Sequence, residues 1–552
     1  NDIDQWAVRG MLQLVAPTPN SEWEWLLNAH GGQNRSLSAQ AQHRGFIPDC
    51  VRDVDNNCVI DPDTGTFIPM KVPGRDADGY EDLDGDPFAG DYNLTPDEDL
   101  DLWGASLRGI WSAGESYEIR SISAYEWHDR SVIDHTDANP RNSLVIEFND
   151  DGWQFSQQLE LHQIWGDELE TMVGAYFLME DLDVNNRFDT PPVKRYSVQQ
   201  YTQKTRNGSV FGTGTWDFFD DFTMDASVRY SWEYKELDIV STAIGPGGGT
   251  LEAIADVDSE LFEGVSGFAS FEYRFMDTNS AYVKYTRGWK PGHFNGGAVF
   301  TGTIISPVDP ETVDSFEGGF RTNWFDGRLE LDAAAFFYKY KDMQIFQIQQ
   351  AAGGIPLFQL INAQEAEVLG VEASLHAEPI EGLKIHYEVG WLDSEYPEFV
   401  SSIVLAVPTP PGAPKQTITV TSDYTGNRLL GSPDWSMSGS VEYSIPLTLG
   451  LGALVPRFSF SWQDDIFYDP AEGRGTLQDL PDGTIAQEAY WLLNAGLLWR
   501  NEGDWLEVSG WVRNILDKAY RVQSFDLSED FRYVADFYGD PRTYGLTVSL
   551  YF

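Results

Sequence analysis

Pro541-Arg542-Thr543-Tyr544-Gly545-Leu546-Thr547-Val548-Ser549-Leu550-Tyr551-Phe552 alternates residue by residue and ends on an aromatic. Tyr544, Leu546, Val548, Leu550 and Phe552 share one face, and Thr543, Gly545, Thr547, Ser549 and Tyr551 share the other. That is the period of a strand with one dry side. An apolar strand edge left open in water invites aggregation, so this strand is expected to be closed against another. The dry face meets either the core of a sandwich or lipid. In the second case the strand is a stave of a transmembrane barrel, apolar outward and small or polar inward.

The same alternation recurs upstream. Met224, Ala226, Val228, Tyr230, Trp232 and Tyr234 oppose Asp225, Ser227, Arg229, Ser231, Glu233 and Lys235. A face so fully charged is wet. Val371, Ala373, Leu375 and Ala377 oppose Glu372, Ser374, His376 and Glu378, and after Pro379–Gly382 the pattern repeats from Leu383 to Trp391. His376 and His386 fall on the wet faces of these paired strands, where polar lumen residues are the default and metal ligation is not needed to explain them.

Tight turns such as Trp324–Arg328, Asn501–Asp504 and Asp217–Phe222 alternate with longer connections: 238–262, 288–310, 346–362, 396–430, 464–488 and 517–540. Outer-membrane barrels sort their turns and loops in this way. At about 25 residues per strand and connection, the chain holds roughly 22 strands, the size of barrels with a plugged lumen. The fold expected is therefore all-β, an antiparallel transmembrane barrel over 1–552 with long extracellular loops and short periplasmic turns.

Composition agrees. Aromatics make up 14% of 552 residues, with 19 Trp, 25 Tyr and 32 Phe, enough to populate two interfacial girdles. No run approaches the roughly 20 apolar residues of a membrane helix. Lys and Arg number 36 against 87 Asp and Glu, a formal charge of −51, which argues against nucleic acid as a partner. Cys50 and Cys58 sit close together in a polar loop, a spacing that permits a local disulfide in an oxidising compartment, the alternative being two free thiols. Nothing at Asn1 resembles a signal peptide, and because a barrel must be exported, a leader is expected ahead of it.

Five segments in order resemble the barrel domain of TonB-dependent outer-membrane receptors: Tyr282–Asn295, with Gly288, Pro291, Gly292, Phe294 and Asn295 in place; Pro310–Arg321; Asn362–Glu372; Val512–Tyr520, with Asn514 and Asp517; and the closing strand. Thr286, Trp289, Arg321 and Ile515 depart from the family pattern. The resemblance implies a Gram-negative outer-membrane location among lipid and lipopolysaccharide, coupling to the TonB complex through a plug domain, and uptake of a scarce small-molecule nutrient such as a siderophore or other metal chelate. No plug segment is visible before Trp6 in this chain. The resemblance also gives Phe552 the role of barrel assembly signal. Gly288 and Gly292 read as turn formers, and Asn514 and Asp517 as residues that hydrogen-bond their own turn.

Two candidate sites follow. Residues 33–101 form a long acidic extracellular insertion without sustained periodicity, in which Asp82, Asp84 and Asp86 could converge on calcium in a Gly-bent loop, although the order is not that of an EF-hand. A solvated acidic loop is the plainer reading. Aromatics of the long connections, Trp289, Phe294, Phe346, Phe358, Phe467 and Tyr468, could line a vestibule for a ligand with planar faces, while loop packing accounts for such residues as well. No catalytic motif or zinc spacing is present, no cofactor is required, and no enzyme is expected. The rival readings are a passive plugless pore and a barrel-anchored adhesion or lattice protein.

Overall fold

A computed structural model describes residues 3–52, 58–60, 67–135, 137–191, 194–295, 307–351, 355–407, 416–529 and 531–551. One 20-stranded sheet dominates it, and every pairing among the described residues is antiparallel. Each long strand pairs with its successor in the chain. Gln5–Thr18 pairs with Ser21–Asn34, that strand with Asp97–Ala113, and so on to Leu506–Arg513 with Thr543–Leu550. One of the twenty, Ile445–Pro446, is a two-residue extension beside Trp435–Tyr443. Thr543–Leu550 pairs antiparallel with Leu506–Arg513 over its full length.

The apolar stripe faces outward. In Phe222–Ile244, Val228 is 58% exposed and Tyr230 and Trp232 are each 39% exposed, too open for a protein core. The opposite face is knitted by polar contacts. Thr215 donates to Asp225 at 2.6 Å, Asn207 donates to Glu233 at 3.0 Å, and Arg229 lies over the Tyr176 and Phe211 rings at 5.5 and 5.1 Å. Aromatics cluster at two levels along the strands. Near the tight-turn end, Trp216, Phe218, Phe222 and Tyr273 touch in succession, with Phe222 and Tyr273 stacked at 4.7 Å. Toward the loop end Trp103 lies 5.2 Å from Tyr125 and 6.3 Å from Trp127. The two levels border an apolar band whose expected height is about 25 Å.

The strands outrun that band, which corrects the expected loop boundaries and strand length. Residues 238–262, expected to be a long loop, belong largely to two strands that extend to Ile244 and resume at Thr250, and the second runs 27 residues to Met276. Above the membrane both faces of a strand are wet, so the hydrophobic alternation fades while the backbone ladder continues. Longer strands spend more residues per hairpin, and among the described residues the main sheet holds 20 strands, the two-residue extension included.

The insertion at 33–101 is also more ordered than its composition suggests. Ser21–Asn34 and Asp97–Ala113 take up its ends, and Gln42–Cys50 and Pro69–Pro73 join Arg521–Leu527 and Tyr533–Tyr538 in a separate four-stranded sheet. Gly45 pairs with Tyr533 and Gln42 with Asp536, so the first long connection is sewn to the last. Cys50 and Cys58 are disulfide-bonded with Cα atoms 5.5 Å apart. Phe552 lies outside the described residues.

Gly288 and Gly292 have negative-side backbone conformations and are not turn formers. A side chain at Gly292 would strike the Phe262 ring and the Val308 carbonyl, both at 2.3 Å, so glycine serves close approach there. Asn514 does cap its own turn, accepting from the Lys518 amide at 3.0 Å and donating to the Lys518 carbonyl at 2.9 Å. Asp517 instead accepts from the Arg542 amide at 2.9 Å, pinning the start of the last strand.

Candidate ligand-binding site

Four loop-end segments meet in a cavity of about 560 Å³. They are the end of Leu329–Ala351, residues 424–431, residues 466–485 and Arg521–Leu527. Two packed clusters hold the walls. On one side Tyr396, Phe399, Tyr424, Leu429 and Ala471 are all buried and pack with Ile345. On the other, Phe46 from the insertion packs with Leu480, Ile485 and Val534, and Tyr468 lies against that group.

Three of the six expected aromatics converge here: Phe346, Phe467 and Tyr468. Phe346 is 68% exposed. Phe467 lies under the Arg428 guanidinium at 4.5 Å, and Tyr468 donates to the Arg521 carbonyl at 2.7 Å while its burial pushes the phenol pKa up. The other three are elsewhere. Phe294 is 2% exposed and packs with Leu237 and Ile239, so it is a piece of loop core rather than vestibule lining. Trp289 lies over Gly264, where a side chain would meet the ring at 2.3 Å. Phe358 pairs with Ile348 in the strand ladder, and its side chain lies outside the described residues.

Asp469 and Asp526 also line the cavity, and sequence reasoning missed them. Asp469 accepts from the Gly473 and Gly475 amides, each at 2.7 Å, and burial pushes its carboxyl up to about 7 against those bonds. Gly473 and Gly475 sit at φ 84° and 78°, a backbone that favours glycine. The run Asp469-Pro-Ala-Glu-Gly-Arg-Gly475 carried this signal, an acid followed by spaced glycines. Asp526 accepts from the Thr476 amide at 3.0 Å and the Ser528 amide at 3.0 Å.

Beneath, on the lumen wall, a second cavity of about 610 Å³ is lined by Tyr282, Arg321, Asp332, Glu372 and Glu388 among others. Arg321 lies over Tyr282 at 4.7 Å and reaches Glu272 at 3.3 Å. His376 and His386 are direct cross-strand partners with rings 6.4 Å apart, as their shared wet face implied.

Asp82, Asp84 and Asp86 each turn back on the chain. Their carboxylates accept from the amides of Asp84, Asp86 and Phe88 at 3.2, 2.8 and 3.0 Å. Among the described residues no group of three His, Cys, Asp or Glu is arranged to hold a metal ion.

Lys71 clamps the outer four-stranded sheet to the neighbouring connections, its Nζ reaching Asp479 at 2.9 Å, Ser528 at 3.1 Å and Glu529. Burial pushes the Glu529 carboxyl up to about 7, with Lys71 opposing the rise. A carboxyl held above its unfolded value binds more protons when folded, between that value and about 7. The clamp is therefore expected to tighten as pH falls from about 7.5 to 5.5. Amide exchange in Gln42–Cys50 and Pro69–Pro73, corrected for intrinsic rate, should slow over that range, and Glu529→Gln should flatten the response.

Comparison with known proteins places this geometry. Residues 29–515 match the family model described as TonB dependent receptor-like, beta-barrel. The ferric-pyoverdine M114 receptor PbuA of Pseudomonas sp. (strain M114) is 25% identical over 339 residues, 60% of this chain and 34% of that protein. The chain thus spans about a third of the length of that curated relative. Among solved structures, the ferric yersiniabactin uptake receptor FyuA from Yersinia pestis superimposes with a TM-score of 0.71 at 20% identity, covering 99% of this chain and 71% of FyuA. The siderophore receptor PiuA from Acinetobacter baumannii gives 0.65 at 14% identity, covering 99% of this chain and 77% of PiuA. At such identities the likeness is one of fold. With the family model spanning most of its length, the chain belongs to the TonB-dependent receptor β-barrel family.

Proposed function

We propose that this barrel serves a TonB-coupled outer-membrane importer that captures a siderophore-type metal chelate in the cavity walled by Phe346, Phe467 and Tyr468. The observation that carries the reading is that cavity: an aromatic-faced recess of about 560 Å³ at the loop end of a family barrel, large enough for a small chelate. The names of PbuA, FyuA and PiuA, all receptors for iron-carrying or siderophore ligands, support the ligand class. Capture needs no covalent chemistry. Aromatic faces and a few polar groups orient the ligand, and the polar inner wall below provides a wet route.

The test is accumulation of labelled ferric chelates by iron-limited cells that carry the full-length protein, with and without a working TonB. Accumulation that needs both supports the reading, and uptake indifferent to TonB would favour the passive pore. Within this scheme Phe467→Ala is expected to weaken chelate binding about tenfold, roughly 1.4 kcal/mol, by removing one face of the recess and the seat of Arg428. Equilibrium binding to the purified protein measures it.

A further inference from the structure

The charges around the outer cavity say what kind of chelate it takes. Among the described lining residues there are two carboxylates, Asp469 and Asp526, and no Lys, Arg or His. The arginines of the neighbouring segments do not line it and are held by other partners. Arg428 is held by Asp434 at 3.0 Å and by Asp465 while lying over Phe467. Arg44 donates to the Thr484 carbonyl at 2.7 Å and to Asp536 at 3.0 Å. Arg521 donates to the same Thr484 carbonyl at 2.9 Å, and Arg474 to the Gln478 carbonyl at 3.1 Å. The lumen cavity beneath repeats the imbalance, with Asp332, Glu372 and Glu388 against Arg321.

An anion entering such a recess gives up its hydration and meets no Lys, Arg or His among the described lining residues, an unfavourable exchange. A cationic or donor-rich group meets carboxylate lone pairs and aromatic faces, both of which favour it. A recess lined by one sign of charge also concentrates the opposite sign at its mouth. Resting on the uptake reading above, we infer that the ligand is a chelate of neutral or positive net charge that presents a cationic or hydrogen-bond-donating face to Asp469 and Asp526, and that anionic chelates are rejected at this cavity.

The experiment uses the full-length protein in iron-limited cells and four labelled ferric chelates. Two are twins, a linear trihydroxamate ending in a free ammonium (singly positive) and its succinylated derivative (singly negative). The others are a neutral cyclic trihydroxamate and a triply negative tris-catecholate. The expected result is accumulation from the positive or neutral chelates, with the ammonium form favoured about tenfold over its succinylated twin at low concentration, and with that ratio shrinking as salt rises. Equal or better accumulation from the anionic chelates overturns the charge rule and leaves the uptake reading standing. Accumulation from none of the four overturns the uptake reading, and this inference falls with it.

Discussion

Lys71→Met should loosen the outer four-stranded sheet by about 3–5 kcal/mol, because it leaves Asp479 and Glu529 facing each other without a cation. Both carboxylates are already strained by their setting. Burial pushes each of them up, and Lys71 is the group that holds them down. Lys71 itself is 6% exposed and anchors by its backbone too, its amide donating to the Asp479 carbonyl at 2.7 Å. Methionine keeps much of the stem's packing, so the loss reports the charge rather than a cavity. The effect should be local. Amide exchange in Pro69–Pro73 and in the 475–485 segment should quicken sharply, while the barrel ladder around Met224–Lys235 keeps its protection. A quickening of all strands alike would mean that the clamp is not a separate unit. The double variant Lys71→Met/Glu529→Gln should recover part of the loss, since it removes one of the stranded charges.

Phe46→Ala is expected to cost a similar amount, about 3–5 kcal/mol, through a different physical route. The ring is 2% exposed and is the insertion's contribution to the cluster with Leu480, Ile485 and Val534. Truncation removes buried apolar area and opens a void that the surrounding strands cannot easily close. Because Ile485 and Tyr468 also border the ligand cavity, chelate affinity should fall although Phe46 does not line it. Phe46→Leu, which refills most of the volume, should restore the greater part of both properties. Denaturant titration of the outer sheet by hydrogen exchange, read beside equilibrium binding, separates the two consequences.

How much of this was legible in the sequence depends on what each segment faces. Met224–Lys235 announced itself because lipid lies on one side and water on the other, and that contrast is written residue by residue. The pairing of His376 with His386 followed from the same contrast plus a short turn. Residues 238–262 were not legible as strand, because above the bilayer both faces are wet and only the backbone, which has no letter in the sequence, knows the ladder continues. The insertion failed for a related reason: its strands find partners hundreds of residues away, and no local pattern encodes a partner. In the site, Phe467 and Tyr468 were readable as loop aromatics, but Phe294 looked the same and proved to be core. Asp469 and Asp526 were invisible as a pair because only the fold brings their loops together.

The stitching of the first long connection to the last carries a consequence in time. Arg44 and Asp536 are 492 positions apart, and the strand pairing beside them cannot form before residues 533–538 have arrived. Each barrel hairpin, in contrast, pairs strands that are close in sequence. The outer sheet must then be among the last pieces to organise, after nearly every stave is in place, because the entropy of bringing its ends together has by then been met by the barrel itself. Without its final hairpins the chain would have no partner strand for residues 42–45 of Gln42–Cys50, and the outer cavity would lose the wall that Arg521–Leu527 supplies.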